Sequence, residues 1–124
     1  MADFDADAFL RRFAEVWRNH DVEGIAEMFT EDAVFEASFG PEAHGERAVG
    51  KAAATRLAAS VFERVPDVAF APIRHHVTPT FAVIEQVQSG TPVGGARFET
   101  DIVDLLTLRD GKIAANSTNR KARL

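Results

Sequence analysis

The hydrophobic pattern of this chain changes period once. Apolar residues recur at helical spacing in the first half and alternate as in strands in the second. That segregation predicts an α+β fold, with helices packed on one face of an antiparallel sheet. At 124 residues one core suffices, so residues 1–124 read as a single domain. No repeat, low-complexity tract or linker divides the chain.

Phe9, Phe13, Val16 and Trp17 fall at i, i+4, i+7 and i+8, with Leu10 and Ala14 beside them. The spacing predicts an amphipathic helix over about residues 5–19. Asp3, Asp5 and Asp7 lie near its positive end, where carboxylates are favoured. Asp21 is placed to cap a short second helix that buries Ile25, Met28 and Phe29. A strand over Ala33–Phe39 and a loop bracketed by Gly40-Pro41 and Gly45 follow. A third helix is expected over Arg47–Glu63, with Val49, Ala53, Leu57 and Val61 on one side and Pro66 as its stop.

Four strands are then expected: Val68–Val77, Phe81–Gln88, Arg97–Leu108 and Lys112–Thr118. Asp110-Gly111 marks a hairpin, and Gly90-Thr91-Pro92 with Gly94-Gly95 a longer turn. Pro72 cannot donate a ladder hydrogen bond, which argues for a sheet edge or a bulge.

Alternation sorts the side chains of a strand onto two faces. In Arg97–Leu108 the even positions run Phe98, Thr100, Ile102, Asp104, Leu106 and Leu108, so Asp104 is a carboxylate on an apolar face. Burial raises the pKa of such a group unless a partner compensates. The same parity test singles out Glu85 among Phe81, Val83 and Val87, and His75 among Ala69, Ala71, Ile73 and Val77. The plainer reading of each is a satisfied structural group. The functional one makes Asp104, His75 and Glu85 the candidate catalytic residues.

Other chemistries are disfavoured. The net charge is −5, against a phosphate backbone or an anionic membrane as the main partner. There is no Cys, which removes thiolate catalysis and zinc–thiolate sites. His75 and His76 are adjacent on a strand and point apart, while His20 and His44 lack a spaced ligand partner; no metal is expected. No phosphate-binding glycine motif opens a helix, so no organic cofactor is expected either. No apolar run approaches a membrane span, and Met1–Phe9 is acidic, so a soluble cytoplasmic protein is expected. The basic tail Asn119–Arg123 reads as a solvated terminus, or as a segment whose Arg120 reaches an anionic ligand or a partner subunit.

The stretch from Phe13-Ala14-Glu15-Val16-Trp17 to Gly24-Ile25 resembles the first two helices of the nuclear-transport-factor-two-like superfamily. Met28 to Glu36 resembles its first strand, His44-Gly45 to Gly50 its loop into the long helix, and Asp104 to Ile113 its last hairpin. The resemblance spans nearly the whole chain. It implies a cone-shaped α+β barrel, with three N-terminal helices on a strongly curved sheet around a deep apolar pocket. It also implies a homodimer joined through the outer sheet face. The superfamily includes SnoaL-like cyclases, ketosteroid isomerases and limonene-epoxide hydrolases. Set beside the isomerase, Asp104 matches the protonated Asp, whereas Phe13 stands for its Tyr and Ala37 for its base. Gln86, Gln88 and Thr118 fall near the Asp-Arg-Asp set of the epoxide hydrolases. Where SnoaL-like cyclases carry an acid on the last strand, the chain offers Asn116, Ser117 and Thr118.

The expected pocket liners are Phe13, Trp17, Phe35, Phe98, Ile102, Asn116 and Thr118, with Asp104 among them. Three readings stand at this point. One is an isomerase- or cyclase-like enzyme acting on a polyketide, steroid-like or terpenoid carbonyl compound, with a protonated Asp104 donating to the carbonyl and Glu85 or His75 moving a proton. The second is a pocket that holds an apolar molecule without chemistry, or a dimeric scaffold. The third is an association domain using an apolar outer face that includes Val103 and Leu105.

Overall fold

Asp5 starts the first helix, α1 (Ala6–Arg18): its carboxylate accepts the Ala8 N–H at 3.0 Å. This computed structural model describes residues 3–122; Met1 and Ala2 of the acidic start and Arg123 of the basic tail lie outside the described residues. α1 buries Phe9, Phe13, Val16 and Trp17, the stripe its spacing predicts. α2 (Val22–Met28) is capped by Asp21, which accepts the Gly24 N–H at 3.0 Å. A Cβ at Gly24 would sit 2.6 Å from Val16 Cγ1, so glycine is what lets α2 turn tightly against α1.

The sheet has six strands in the order β2-β1-β6-β5-β4-β3. They are β1 (Phe29–Glu36), β2 (Arg47–Val49), β3 (Ala69–Val77), β4 (Phe81–Gly90), β5 (Phe98–Arg109) and β6 (Lys112–Arg120). All neighbours are antiparallel except β1 and β6. Asp110 and Gly111 both take positive φ, +52° and +77°, as a two-residue hairpin turn requires. The sheet curves around the three helices and makes an α+β cone.

Several boundaries differ from expectation; the strand expected over Ala33–Phe39 ends at Glu36. β1 starts at Phe29, read above as a helical residue; Phe29 is the first strand residue and is buried against the core. Arg47–Val49 is not helical but pairs with β1. Gly50, at φ +93°, ends that strand, donates its N–H to the Ala33 carbonyl at 2.8 Å, and opens α3 (Lys51–Arg64). α3 therefore buries Ala54, Leu57 and Ala58, while Val49 is exposed. Pro72 lies on the edge strand β3, at a register shift between Pro72 and Arg74, so both of its expected contexts apply.

The core is strongly aromatic. Phe9 stacks on Phe13, which meets Trp17 at 6.3 Å between centroids. Trp17 in turn contacts Phe35, Phe62 and Phe70 at 6.4, 5.5 and 5.8 Å. His20 stacks on Phe62 at 4.2 Å and donates from Nε2 to the Val68 carbonyl at 3.0 Å, tying the α1–α2 turn to the segment before β3. No helix among the described residues is long and apolar enough to cross a membrane.

Candidate functional site

Register places the inner-face residues in rows. Ile84, Asp104 and Thr118 face one another across β4, β5 and β6. One step outward come Gln86, Ile102 and Arg120, and then Gln88 with Thr100. The rows form one wall of a cavity of about 1170 Å³. The C-terminal end of α3, Phe39 and Pro92 form the opposite rim, and Trp17 and Phe35 lie at the inner end.

Asp104 is 6% exposed, as its even parity on β5 predicts. The Thr118 hydroxyl donates to its Oδ1 at 2.6 Å, and the Gln86 amide Nε2 donates to Oδ2 at 3.4 Å. Both partners are neutral. Burial pushes the carboxyl up to about 6, and the two hydrogen bonds only partly oppose it. The group thus sits among donors that favour its charge in surroundings that oppose it. Such a carboxyl exchanges a proton readily near neutrality.

Trp17, Phe35, Phe98, Ile102, Asp104 and Thr118 all line this cavity. Phe13 does not. It lies one helical turn behind Trp17 and is 2% exposed within the core. Asn116 does not either: it sits two residues deeper on β6 than Thr118, paired with Phe35 and Leu106 and 2% exposed.

Glu85 and His75 are also corrected. Glu85 pairs with Val103 and lies on the outer face, where its Oε1 accepts from Arg74 Nε at 2.6 Å. The inner residues of β4 are instead Ala82, Ile84 and Gln86. Both parities of β4 look apolar because Phe81, Val83 and Val87 line the outer face, so alternation alone selects the wrong one. His75 pairs with Ile84 and so shares the Asp104 row, but it is exposed on the edge strand. Ile84 stands between, and two strand spacings put the backbones of His75 and Asp104 roughly 10 Å apart. Neither Glu85 nor His75 lines the cavity.

Sequence reasoning gave less weight to Gln86 and Gln88 than the wall does. Arg120 Nη2 donates to Gln88 Oε1 at 3.2 Å, which leaves the Gln88 Nε2 hydrogens free to donate elsewhere. The inner parity of β4, once known, finds both glutamines. Phe39, Phe70 and Arg64 are further liners without a periodic signal of their own. Among the described residues no group of three or more His, Cys, Asp or Glu side chains is placed to hold a metal ion.

Residues 10–116 match a family described as SnoaL-like domain. Among solved structures, the chain resembles an NTF2-like protein of unknown function from Mesorhizobium loti, with 23% identity, a TM-score of 0.78 and 98% of both chains covered. It also resembles a putative polyketide cyclase from Sinorhizobium meliloti, with 20% identity, a TM-score of 0.72, and 90% of this chain and 94% of that one covered. TerC, co-crystallised with polyporic acid, is 21% identical with a TM-score of 0.75 over 94% of this chain and 91% of that one. At these identities the likeness shows the fold. No curated protein matches the chain.

Proposed function

The chain belongs to the SnoaL-like domain family, and on that premise we propose that it is an isomerase- or cyclase-like enzyme acting on a compact apolar carbonyl compound. Polyketide, steroid-like and terpenoid carbonyl compounds suit the aromatic walls. The observation that carries this reading is Asp104: a buried carboxyl, beside a cavity, held by neutral donors alone. A putative polyketide cyclase and TerC, crystallised with polyporic acid, share the fold.

With Glu85 and His75 outside the cavity, Asp104 does the proton transfer itself. With a pKa near 6 it is largely ionised at neutral pH and acts first as a base, rather than as the resting donor expected above. It takes a proton from a carbon next to the carbonyl. The C–H electrons shift onto the carbonyl oxygen and form an enolate. The second Nε2–H of Gln86, whose first donates to Asp104, is a neutral donor for that oxygen. The enolate then attacks a second carbonyl carbon of the same molecule, and Asp104 returns its proton to the new alkoxide. Alternatively, Asp104 returns the proton to another carbon, which moves the double bond. Either path leaves Asp104 as it began.

The test is hydrogen exchange in D₂O with a panel of these carbonyl compounds, read by mass spectrometry. Asp104→Asn lowers the exchange rate by about 10²-fold or more. Equal rates in both proteins overturn the assignment. A second reading, a non-catalytic ligand-binding module, is favoured by Asp104 having, among the described residues, only the neutral Gln86 and Thr118 as hydrogen-bond partners, in a chain that has no Tyr. A ligand that co-purifies and stays unchanged on long incubation supports it.

The outer sheet face is the proposed contact with a second copy of this chain. It carries Phe81 and Leu105, both partly exposed, around a shallow hollow that also includes Val34 and Ala115. A strip of this kind on a sheet meets its own copy across a two-fold axis.

A further inference from the structure

We propose that the ligand of this cavity is an apolar ring compound carrying an anionic group, and that Arg120 receives that group at the outer end. This rests on the pocket reading above and names the ligand's charge.

Arg120 leaves β6 in the row of Ile102, one step outward of Asp104 and Thr118. Its guanidinium turns further outward. Nη2 reaches Gln88 in the next row, and Cζ lies 5.3 Å from the ring of Phe98. The Gln88–Thr100 row is four residues along β5 from Asp104, about 13 Å at strand spacing. A ligand of two linked rings spans that length, with a neutral reacting end at Asp104 and a charged end at Arg120.

Arg120 makes no ion pair with any described residue; its partners are a neutral amide and an aromatic ring. Its side chain is solvent-exposed at the mouth, yet the partial burial of its guanidinium lowers its pKa, and no acid among the described residues pairs with it. Lys121, the next residue, does have an acidic neighbour: its Nζ lies 3.8 Å from the Asp101 carboxylate.

The surroundings point the same way. Although the chain is acidic overall, Arg64 and Arg97 also line this cavity, and Arg64 lies over the Phe39 ring at 4.0 Å. The acidic liners are Glu99 and the deep Asp104. A planar guanidinium beside an aromatic ring suits a carboxylate or an ionised enol attached to a flat apolar body.

Two isosteric probes test this: biphenyl-4-carboxylate and biphenyl-4-carboxamide, each titrated by calorimetry at pH 8. Fluorescence of Trp17, the sole tryptophan, places the binding in the cavity. The wild-type protein is expected to prefer the carboxylate by about tenfold, and Arg120→Gln to reduce that preference to about twofold. Added salt weakens the carboxylate more than the amide. Because a ratio is read within each protein, a general loss of stability does not imitate the result. Equal affinities in the wild type, or a preference that survives Arg120→Gln, overturn the assignment of Arg120. Failure of both probes to bind overturns the pocket reading, and this inference falls with it.

Discussion

The Thr118 hydroxyl and Asp104 Oδ1 lie 2.6 Å apart, on residues that face each other across β5 and β6. The contact is set by backbone pairing rather than by a flexible reach. It gives the carboxylate a strong donor without a balancing charge. Burial and hydrogen bonding therefore compete at one atom group, and burial wins: the pKa rises from 3.8 to about 6.

A first consequence concerns stability. Between pH 3.8 and about 6 the folded protein keeps a proton that the unfolded chain has released. The contribution of this group is thus fully favourable below the unfolded value, and is lost as pH rises through the folded one. Above pH 6 holding the ionised group buried costs about 3 kcal/mol. Asp104→Asn removes the charge and keeps the shape, so it should stabilise the protein by about 1–3 kcal/mol at pH 7.5. The gain should vanish near pH 4. Urea midpoints of both proteins at the two pH values measure it.

A second concerns the pH dependence of exchange. A base must be ionised, so the rate should rise with pH and level off above about 6. Thr118→Val deletes the donor that stabilises the ionised form. The midpoint should move upward, by about one pH unit if the bond is of ordinary charge-assisted strength. A profile of the exchange rate from pH 4 to 9 shows this; a purely structural role for Thr118 would lower the rate without moving the midpoint.

How far the sequence carried depends on which signals are local. α1 was legible because its stripe is regular over several turns, and Asp104 because β5 alternates along its whole length. The Asp110-Gly111 hairpin has a turn chemistry of its own. β4 was not legible in the same way. Its inner face depends on register with β5 across the long Thr91–Arg97 connection, and a shift of one residue there exchanges Glu85 for Gln86. β2 is three residues long and gains its strand identity only by pairing with β1. Phe13 and Asn116 were placed on the correct face but too shallow, because periodicity gives direction and not depth.

Gly90 gives a prediction about the cavity rim. It ends β4, opposite Phe98, and a Cβ there would lie 2.4 Å from Val65 Cγ1 and 3.2 Å from the Val68 Cα. Val65 is β-branched and stiff, so the contact is not relieved by a simple rotation. Gly90→Ala should cost about 1–3 kcal/mol, read from the denaturation midpoint. Val65 lines the cavity, so its displacement should also weaken biphenyl probe binding.

The outer face supplies the last prediction. Leu105 pairs with Val83 and Ser117 and points away from the cavity; with Phe81 it stays partly exposed on a strip of sheet. A second copy covering that strip removes apolar surface from water without touching Asp104. Leu105→Arg places a charge at its centre, where pairing two identical copies would bring two like charges together. Light scattering coupled to size exclusion should find a dimer for the wild type and a monomer for Leu105→Arg. The Trp17 fluorescence response to the biphenyl probes should persist in the variant, since the two faces are separated by the thickness of the sheet. A wild-type monomer at micromolar concentration would remove the homodimer, and leave the cavity chemistry as it stands.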